Sequence, residues 1–277
     1  MIIKKCKQCY KSNHEKINMK LNRIIQGDCL EVMKELLDNS VDLVITSPPY
    51  DNLRDYNGYT FNFNGIAKEL FRIVKQGGVV VWVVGDATVK GSETGTSFKQ
   101  ALYFKEIGFN LHDTMIYRKE NYVPLTHNRY EQEWEYMFIF SKGKPNTFNP
   151  IKIQTKWGGT ETWGKPSFYK TSDGNLTEKP RKKIGMYKIK GNIFAYQTGS
   201  KEGDKIAKKH PARFPEKLAE DHILSWSNEG DLILDPMCGS GTTCKMARLL
   251  NRDFVGIEIS EKYCKIARER LRQQILL

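Results

Sequence analysis

A chain of 277 residues, 39% hydrophobic and formally charged +12, has room for one large α/β domain with a substantial insertion, or for two modest domains. It has no apolar run near the roughly 20 residues that cross a bilayer, and its start, MIIKKCKQCYKSNHEK, lacks the apolar stretch of a secretory signal; a cytoplasmic protein with no membrane partner is expected. Six cysteines, at 6, 9, 29, 238, 244 and 264, are too sparse for a disulfide framework and read as reduced thiols.

Residues 1–19 read as a leader. Cys6-Lys-Gln-Cys9 with His14 resembles half of a zinc site, but no second Cys/His pair stands at finger-like spacing, so no metal is expected; Met19 is an alternative start. After Asp28, Leu30, Met33 and Leu37 repeat at helical spacing. Val41 to Thr46 is a short β-branched run, and Ser47-Pro48-Pro49-Tyr50 ends it, because consecutive prolines continue neither a strand ladder nor a helix. Ile66, Leu70 and Ile73, with Phe71, predict an amphipathic helix ending at Gly77-Gly78, followed by a fully buried strand over Val79–Val84. A helix over Ser97–Ile107 and strands over Thr114–Tyr117 and Glu135–Phe140 come next. Strands alternating with helices imply a parallel, doubly wound sheet over residues 20–141.

From Lys142 to His210 the pattern changes. Helical periodicity disappears, eight aromatic residues run from Phe148 to Tyr196, and residues 141–210 hold 16 Lys or Arg against 5 Asp or Glu. We read residues 142–209 as an inserted recognition region for a polyanion, since each neutralised phosphate releases condensed counterions; the competing reading is a solvated basic loop. Regular order returns over residues 210–277, with a helix over Pro215–Trp226, strands over Asp231–Leu234 and Phe254–Ile257, a helix from Thr242 and a terminal helix after Ser260.

Two motifs carry chemistry. In Leu232-Ile-Leu-Asp235-Pro236-Met-Cys-Gly239-Ser240-Gly241-Thr242-Thr, a strand ends in an acid and a glycine-rich turn opens a helix, which lets a ligand approach the backbone. About twenty residues on, the strand Phe254-Val-Gly-Ile-Glu258 ends in a carboxylate, suited to two ribose hydroxyls. Alone this βαβ pattern is weak, since such a turn can be structural punctuation; it is not a phosphate-binding P-loop, because no Gly-Lys-Ser/Thr follows. The second motif is Ser47-Pro48-Pro49-Tyr50. Its prolines set the backbone so that the Pro48 carbonyl can face a ligand, and Ser47 Oγ supplies a second acceptor; together they match the two N–H donors of a base amino group, with Tyr50 stacked on the extruded ring.

With both motifs in this order, the chain resembles the permuted, beta-type S-adenosylmethionine-dependent amino-methyltransferases of restriction-modification systems, in which the catalytic motif precedes the cofactor motif. The resemblance covers most of residues 20–277. It implies a Rossmann-like, seven-stranded, mostly parallel sheet of the class I methyltransferase type, with S-adenosylmethionine over the strand ends. It assigns catalysis to Ser47, Pro48, Pro49 and Tyr50, and the cofactor to Asp235, Pro236, Gly239, Ser240, Gly241, Thr242 and Glu258. His210-Pro-Ala-Arg-Phe214-Pro maps onto the segment that closes over the cofactor's methionine end. Gln26-Gly27-Asp28-Cys29 resembles the adenine-side segment, where Asp28 is equally well read as a helix N-cap.

Double-stranded DNA is the implied substrate, with Lys165, Arg181, Lys182 and Lys183 on phosphates and some of Trp157, Trp163, Phe168, Tyr169 and Tyr187 stacking; a small accessory core accounts for at least half of those aromatics. A cognate restriction endonuclease and a homodimer are the protein partners it brings. By the resemblance, members with Asp or Asn at the position of Ser47 act on adenine N6 and those with Ser on cytosine N4, so cytosine N4 is the preferred target, with adenine N6 second. Carbon-5 chemistry is set aside, because no Pro-Cys pair supplies a thiol beside the base. Competing functions are methylation of RNA or a protein amide, and a non-catalytic DNA-binding module descended from such an enzyme.

Overall fold

The computed structural model describes residues 20–49, 61–122, 129–161, 167–179, 182–197, 206 and 215–273. The Cys6, Cys9 and His14 cluster, Tyr50, Trp163, Lys165, Arg181, His210 and Phe214 lie outside the described residues. Among the described residues, no helix is long and apolar enough to cross a membrane, and no three His, Cys, Asp or Glu side chains are grouped to hold a metal ion.

The main unit is built on strands β1 (Arg23–Gln26), β2 (Val41–Thr46), β3 (Val74–Val84), β4 (Asn110–Lys119), β5 (Trp134–Ser141), β6 (Ile193–Tyr196), β7 (Leu232–Asp235) and β8 (Asp253–Glu258). They form one eight-stranded sheet in the order β1-β8-β7-β2-β3-β5-β4-β6. β5 alone runs against its neighbours; every other pairing in the sheet is parallel. Seven of these strands are the expected Rossmann-like set. The eighth, β6, adds an edge beside β4, with Ile193 opposite Ile116 and Tyr196 opposite Lys119.

The central strands are apolar on both faces and must be covered twice. Helices α1 (Cys29–Met33), α2 (Phe63–Ile73) and α3 (Thr96–Glu106) bury Met33, Ile66, Leu70 and Phe104 against Val44, Val80, Trp82 and Phe140. There Phe104 stacks on Phe140 at 4.5 Å, and Trp82, fully buried, satisfies its one donor through Gln100 Oε1 at 2.8 Å. Helices α4 (Glu216–Trp226), α5 (Thr242–Leu249) and α6 (Glu261–Gln273) follow in the C-terminal part.

Three boundaries differ clearly from the sequence reading: the helix expected through Leu37 stops at Met33, the strand expected over Thr114–Tyr117 runs from Asn110 to Lys119, and the junction of α2 and β3 shifts. α2 ends at Ile73, and β3 begins at once with Val74, extended and paired with Val41, rather than after Gly77-Gly78. The glycines lie inside the strand because another segment crosses there: Gly77 N–H donates to the Lys142 carbonyl at 2.6 Å, and a Cβ on Gly77 would sit 2.2 Å from the Asn146 side chain. Periodicity reports the apolar face and is blind to such a crossing.

Residues Pro150–Gly191 form a second compact unit. The flanks of the region read as an insertion belong to the main unit: Asn149 N–H donates to the Ser225 carbonyl at 2.8 Å, and β6 completes the sheet. Among its described residues, the second unit holds two antiparallel strand pairs, Lys152–Gln154 with Tyr187–Ile189 and Phe168–Lys170 with Leu176–Glu178, and a bridge between Glu161 and Lys183. Among its described residues no hydrophobic side chain is buried. The expected accessory core is therefore not formed by the described aromatics: Trp157, Phe168, Tyr169 and Tyr187 are all exposed.

His222 on α4 is buried in the main unit, with Nε2 3.3 Å from Met137 Sδ and its ring stacked on Phe194. Burial pushes its pKa from 6.5 down to about 4, against the pull of Asp221. The fold holds the ring neutral while the unfolded chain protonates near 6.5, so its contribution is whole above pH 6.5 and is lost as the pH falls towards 4. Asp235, raised to about 6, works in the opposite sense over part of that range, so the effect is read as a difference from a variant. The stability advantage of the native chain over His222→Phe should shrink by about 3 kcal/mol between pH 6.5 and 4 in denaturant titrations. A pH-independent difference would remove His222 from the acid sensitivity.

Candidate functional site

β1, β8, β7, β2 and β3 run in parallel, so their C-terminal ends lie along one edge of the sheet. That edge gathers residues far apart in the chain: Asp28 after β1, Ser47 after β2, Asp86 after β3, Asp235 ending β7 and Glu258 ending β8. Ligands of open α/β sheets bind outside such strand ends.

The two motifs meet at their roots. β2 and β7 are neighbours, with Leu43 opposite Ile233 and Val44 opposite Leu234. Thr46 Oγ1 donates to Asp235 Oδ1 at 2.9 Å, so the residue before Ser47 is tied to the acid that opens the glycine-rich turn. Asp235 also accepts from Met237 N–H at 3.2 Å. Burial pushes its carboxyl up to about 6, partly opposed by hydrogen bonds from Thr243 and Thr46. Pro48 is buried, with Ser47 and Pro49 half-buried on either side.

The turn itself is tight. Gly239 and Gly241 have φ of 50° and 77°, and the Gly241 N–H closes it on the Cys238 carbonyl at 2.7 Å. At Gly241 a Cβ would come within 2.9 Å of Ala267 Cβ, so glycine is required by both conformation and contact. Glu258 bridges two turns, its Oε2 accepting from Gly239 N–H at 2.9 Å and its Oε1 from Ser260 N–H at 2.8 Å. Burial raises its pKa, opposed by those backbone donors. The Glu258 carbonyl accepts from Gly27 N–H at 3.0 Å, which brings the Gln26–Cys29 segment to the same place. Asp28 is exposed and caps α1, its Oδ1 accepting from Leu30 N–H at 2.7 Å.

Pro236, Ser240 and Thr242 complete the turn, but the hydroxyls of Ser240 and Thr242 are buried and engaged from behind by Arg270, at 3.1 and 3.2 Å. Their hydroxyls, and the Ser240 carbonyl, are thereby committed to Arg270. Cys29, Cys238, Cys244 and Cys264 are free thiols. Burial pushes Cys29 up to about 12 and Cys264 up to about 11, and a hydrogen bond with Cys244 together with burial raises Cys238; neutral thiols are poor nucleophiles.

Several residues here were invisible to motif reading. Asp86 accepts from Ser97 N–H at 2.9 Å and from the Ser97 hydroxyl, fastening the start of α3 to the sheet edge. It follows an apolar strand, as Asp235 and Glu258 do, and that position was the available signal. Behind the turn, buried Arg270 and Lys245 share the half-buried carboxylate of Glu216. Their signal was a cation at apolar spacing on a terminal helix, with Cys264 and Ala267 one turn apart before it. In the second unit, Lys182 and Lys183 are exposed.

The family model for DNA methylases of the N6/N4 type matches residues 41–269. The chain is 55% identical over 249 residues to the orphan methyltransferase M.BamHII of Bacillus amyloliquefaciens, covering 88% of this chain and 94% of that one. It is 28% identical over 258 residues to the Type II methyltransferase M.BglII of Bacillus subtilis, covering 89% and 68%. In structure it is similar to the cytosine-N4-specific PvuII DNA methyltransferase, with a TM-score of 0.67 and 21% identity over 92% of this chain and 89% of that one. It is also similar to M1.HpyAVI in its SAM complex, with a TM-score of 0.59 and 24% identity over 90% and 98%. Those two likenesses speak for the class I methyltransferase fold. The match across most of its length and the close relative in Bacillus amyloliquefaciens establish that the chain belongs to the N6/N4 DNA methylase family.

Proposed function

We propose that this DNA methylase transfers a methyl group from S-adenosylmethionine to the N4 amino group of a cytosine flipped out of duplex DNA. The observation that carries the reading is the Thr46–Asp235 hydrogen bond, which sets Ser47-Pro48-Pro49 beside the glycine-rich turn. The residues present suit the cofactor. Two glycines at positive φ leave room for close backbone approach, and a carboxylate stands at the next strand end for the ribose. Asp235, Pro236, Gly239, Gly241 and Glu258 would hold it, with Asp28 and Cys29 on the adenine side and His210 and Phe214 at the methionine end.

When bound, S-adenosylmethionine supplies an electrophilic methyl group on a positively charged sulfur. Ser47 Oγ and the Pro48 carbonyl accept the two N–H bonds of the target amine and aim its nitrogen at that carbon. As the N–C bond forms and the S–C bond breaks, Ser47 Oγ keeps its hydrogen bond to the N–H whose proton passes to solvent once the nitrogen carries the methyl group. No covalent enzyme intermediate is needed, because alignment within roughly 3–3.5 Å and polarisation supply the rate. Tyr50 is the ring against which the base stacks.

Residues Pro150–Gly191 serve as the DNA-recognition unit, supported by ten Lys or Arg against three Asp or Glu and by exposed aromatics. Replacing Lys182 and Lys183 together by alanine should weaken all duplex sequences alike and flatten the salt dependence of binding by up to about 1.8 log units per log unit of salt. Loss confined to one sequence would assign these lysines to base reading instead. A cognate restriction endonuclease and a second copy of the chain are the protein partners this reading carries.

Incubation with labelled S-adenosylmethionine and unmethylated phage DNA, followed by nucleoside mass spectrometry, tests the reading. N4-methylcytosine is the expected product. N6-methyladenine would overturn the base, and the absence of any methylated nucleoside would overturn the reading in favour of an RNA or protein substrate or a non-catalytic DNA-binding module.

A further inference from the structure

α6 turns one face towards both halves of the cofactor site. Three of its residues, spaced one turn apart, each make a specific contact: Cys264 Sγ with the Glu258 carbonyl at 3.3 Å, Ala267 against Gly241, and Arg270 with the turn itself. Arg270 is only 1% exposed. Its Nη1 donates to the Ser240 carbonyl at 2.6 Å and reaches the Ser240 and Thr242 hydroxyls, while its Nη2 donates to Glu216 Oε1 at 2.7 Å. The same Glu216 oxygen accepts from Lys245 Nζ of α5 at 2.7 Å. Glu216 opens α4, directly after Pro215, so one carboxylate joins the starts of α4 and α5 and the last turns of α6 behind the glycine-rich turn.

Burying a guanidinium forfeits its hydration, and an apolar replacement of similar volume is often neutral or stabilising, so stability alone does not account for an arginine here. What it provides is direction. A planar fork engages three acceptors of one turn and a carboxylate from another element, which lysine cannot reproduce with a single nitrogen. We propose that Arg270, anchored by Glu216, is a positioning residue for the glycine-rich turn and thereby sets the affinity for S-adenosylmethionine. It acts through Ser240 and Thr242 and does not touch the reacting atoms. The inference rests on the reading that this turn holds the cofactor.

The test uses the full chain and three variants, Arg270→Met, Arg270→Lys and Glu216→Gln, well below their unfolding midpoints. The S-adenosylmethionine dissociation constant, the KM for duplex DNA and turnover at saturating cofactor are measured for each. Arg270→Met should weaken cofactor binding about tenfold to a hundredfold, with turnover and the KM for DNA changing far less, and Arg270→Lys should recover part of the loss. If Arg270→Met does not fold, the same split in Arg270→Lys and Glu216→Gln carries the test. Equal losses in all three quantities, tracking the folded fraction, would make the cluster merely structural and overturn the proposal. Glu258→Ala separates the two levels. If it weakens cofactor binding while the Arg270 and Glu216 variants bind normally, the positioning role alone fails; if it leaves binding intact, the assignment of the turn fails, and the positioning role with it.

Discussion

Replacing Ser47 by alanine should lower the methyl-transfer rate about tenfold to a thousandfold, with S-adenosylmethionine affinity changed by no more than about twofold. The split follows from where Ser47 stands. Its backbone is held on one side by Thr46, whose hydroxyl is committed to Asp235 at 2.9 Å, and on the other by Pro48, which is buried. Removing Oγ should therefore leave the loop and the Pro48 carbonyl in place. One acceptor of two is lost, and the cost of losing one positioned transition-state partner is about 1.4 to 4 kcal/mol. Single-turnover transfer of a labelled methyl group to duplex DNA gives the rate, and calorimetric titration gives the affinity. Unaltered turnover would take Ser47 out of the mechanism, and a parallel loss of cofactor affinity would show that the loop supports the turn rather than the reaction.

Much of this arrangement was legible in the sequence, and the reasons for the rest are physical. The apolar runs Val41–Thr46 and Val79–Val84 read as buried strands, and the acid-glycine turn after Leu234 read as a turn at a strand end, where ligands of such sheets bind. The hydrogen bond that joins the two motifs was not legible, because Thr46 reads as one more β-branched residue until β2 and β7 are known to be neighbours. Arg270 was missed for the opposite reason: arginine on a terminal helix is normally solvated, and only the half-buried carboxylate of a distant helix and the acceptors of the turn make it an interior residue. β6 was absorbed into the basic region, since four residues, Ile193–Tyr196, give too short a run for alternation to declare an edge strand. At least half of the aromatics Trp157, Trp163, Phe168, Tyr169 and Tyr187 were expected to form a small accessory core, as large apolar side chains usually do, yet Trp157, Phe168, Tyr169 and Tyr187 are exposed. Their exposure leaves a surface of rings and lysines that suits stacking and phosphate contact better than a core.

Glu258→Ala should produce the mirror image of the Ser47 substitution: cofactor affinity down by about a hundredfold, and turnover at saturating cofactor reduced far less than in Ser47→Ala. Two effects add. On the proposed reading the ribose hydroxyls lose a charged acceptor, worth about 1.5 to 3 kcal/mol for such hydrogen bonds, and the Gly239 N–H loses the carboxylate that accepts it at 2.9 Å. With that N–H unsatisfied, the turn has reason to leave its positive-φ conformation. Its closure from Gly241 to the Cys238 carbonyl and its support from Arg270 remain, so the turn should be loosened and not lost. Glu258→Gln keeps the shape and one acceptor oxygen but cannot accept from both Gly239 and Ser260, and its affinity should fall between native and alanine. Titration with S-adenosylmethionine, paired with a denaturant midpoint for each variant, separates the ribose contribution from the turn's own stability. If affinity falls only as far as stability does, Glu258 is a brace for the turn; if it falls further, the carboxylate meets the cofactor directly.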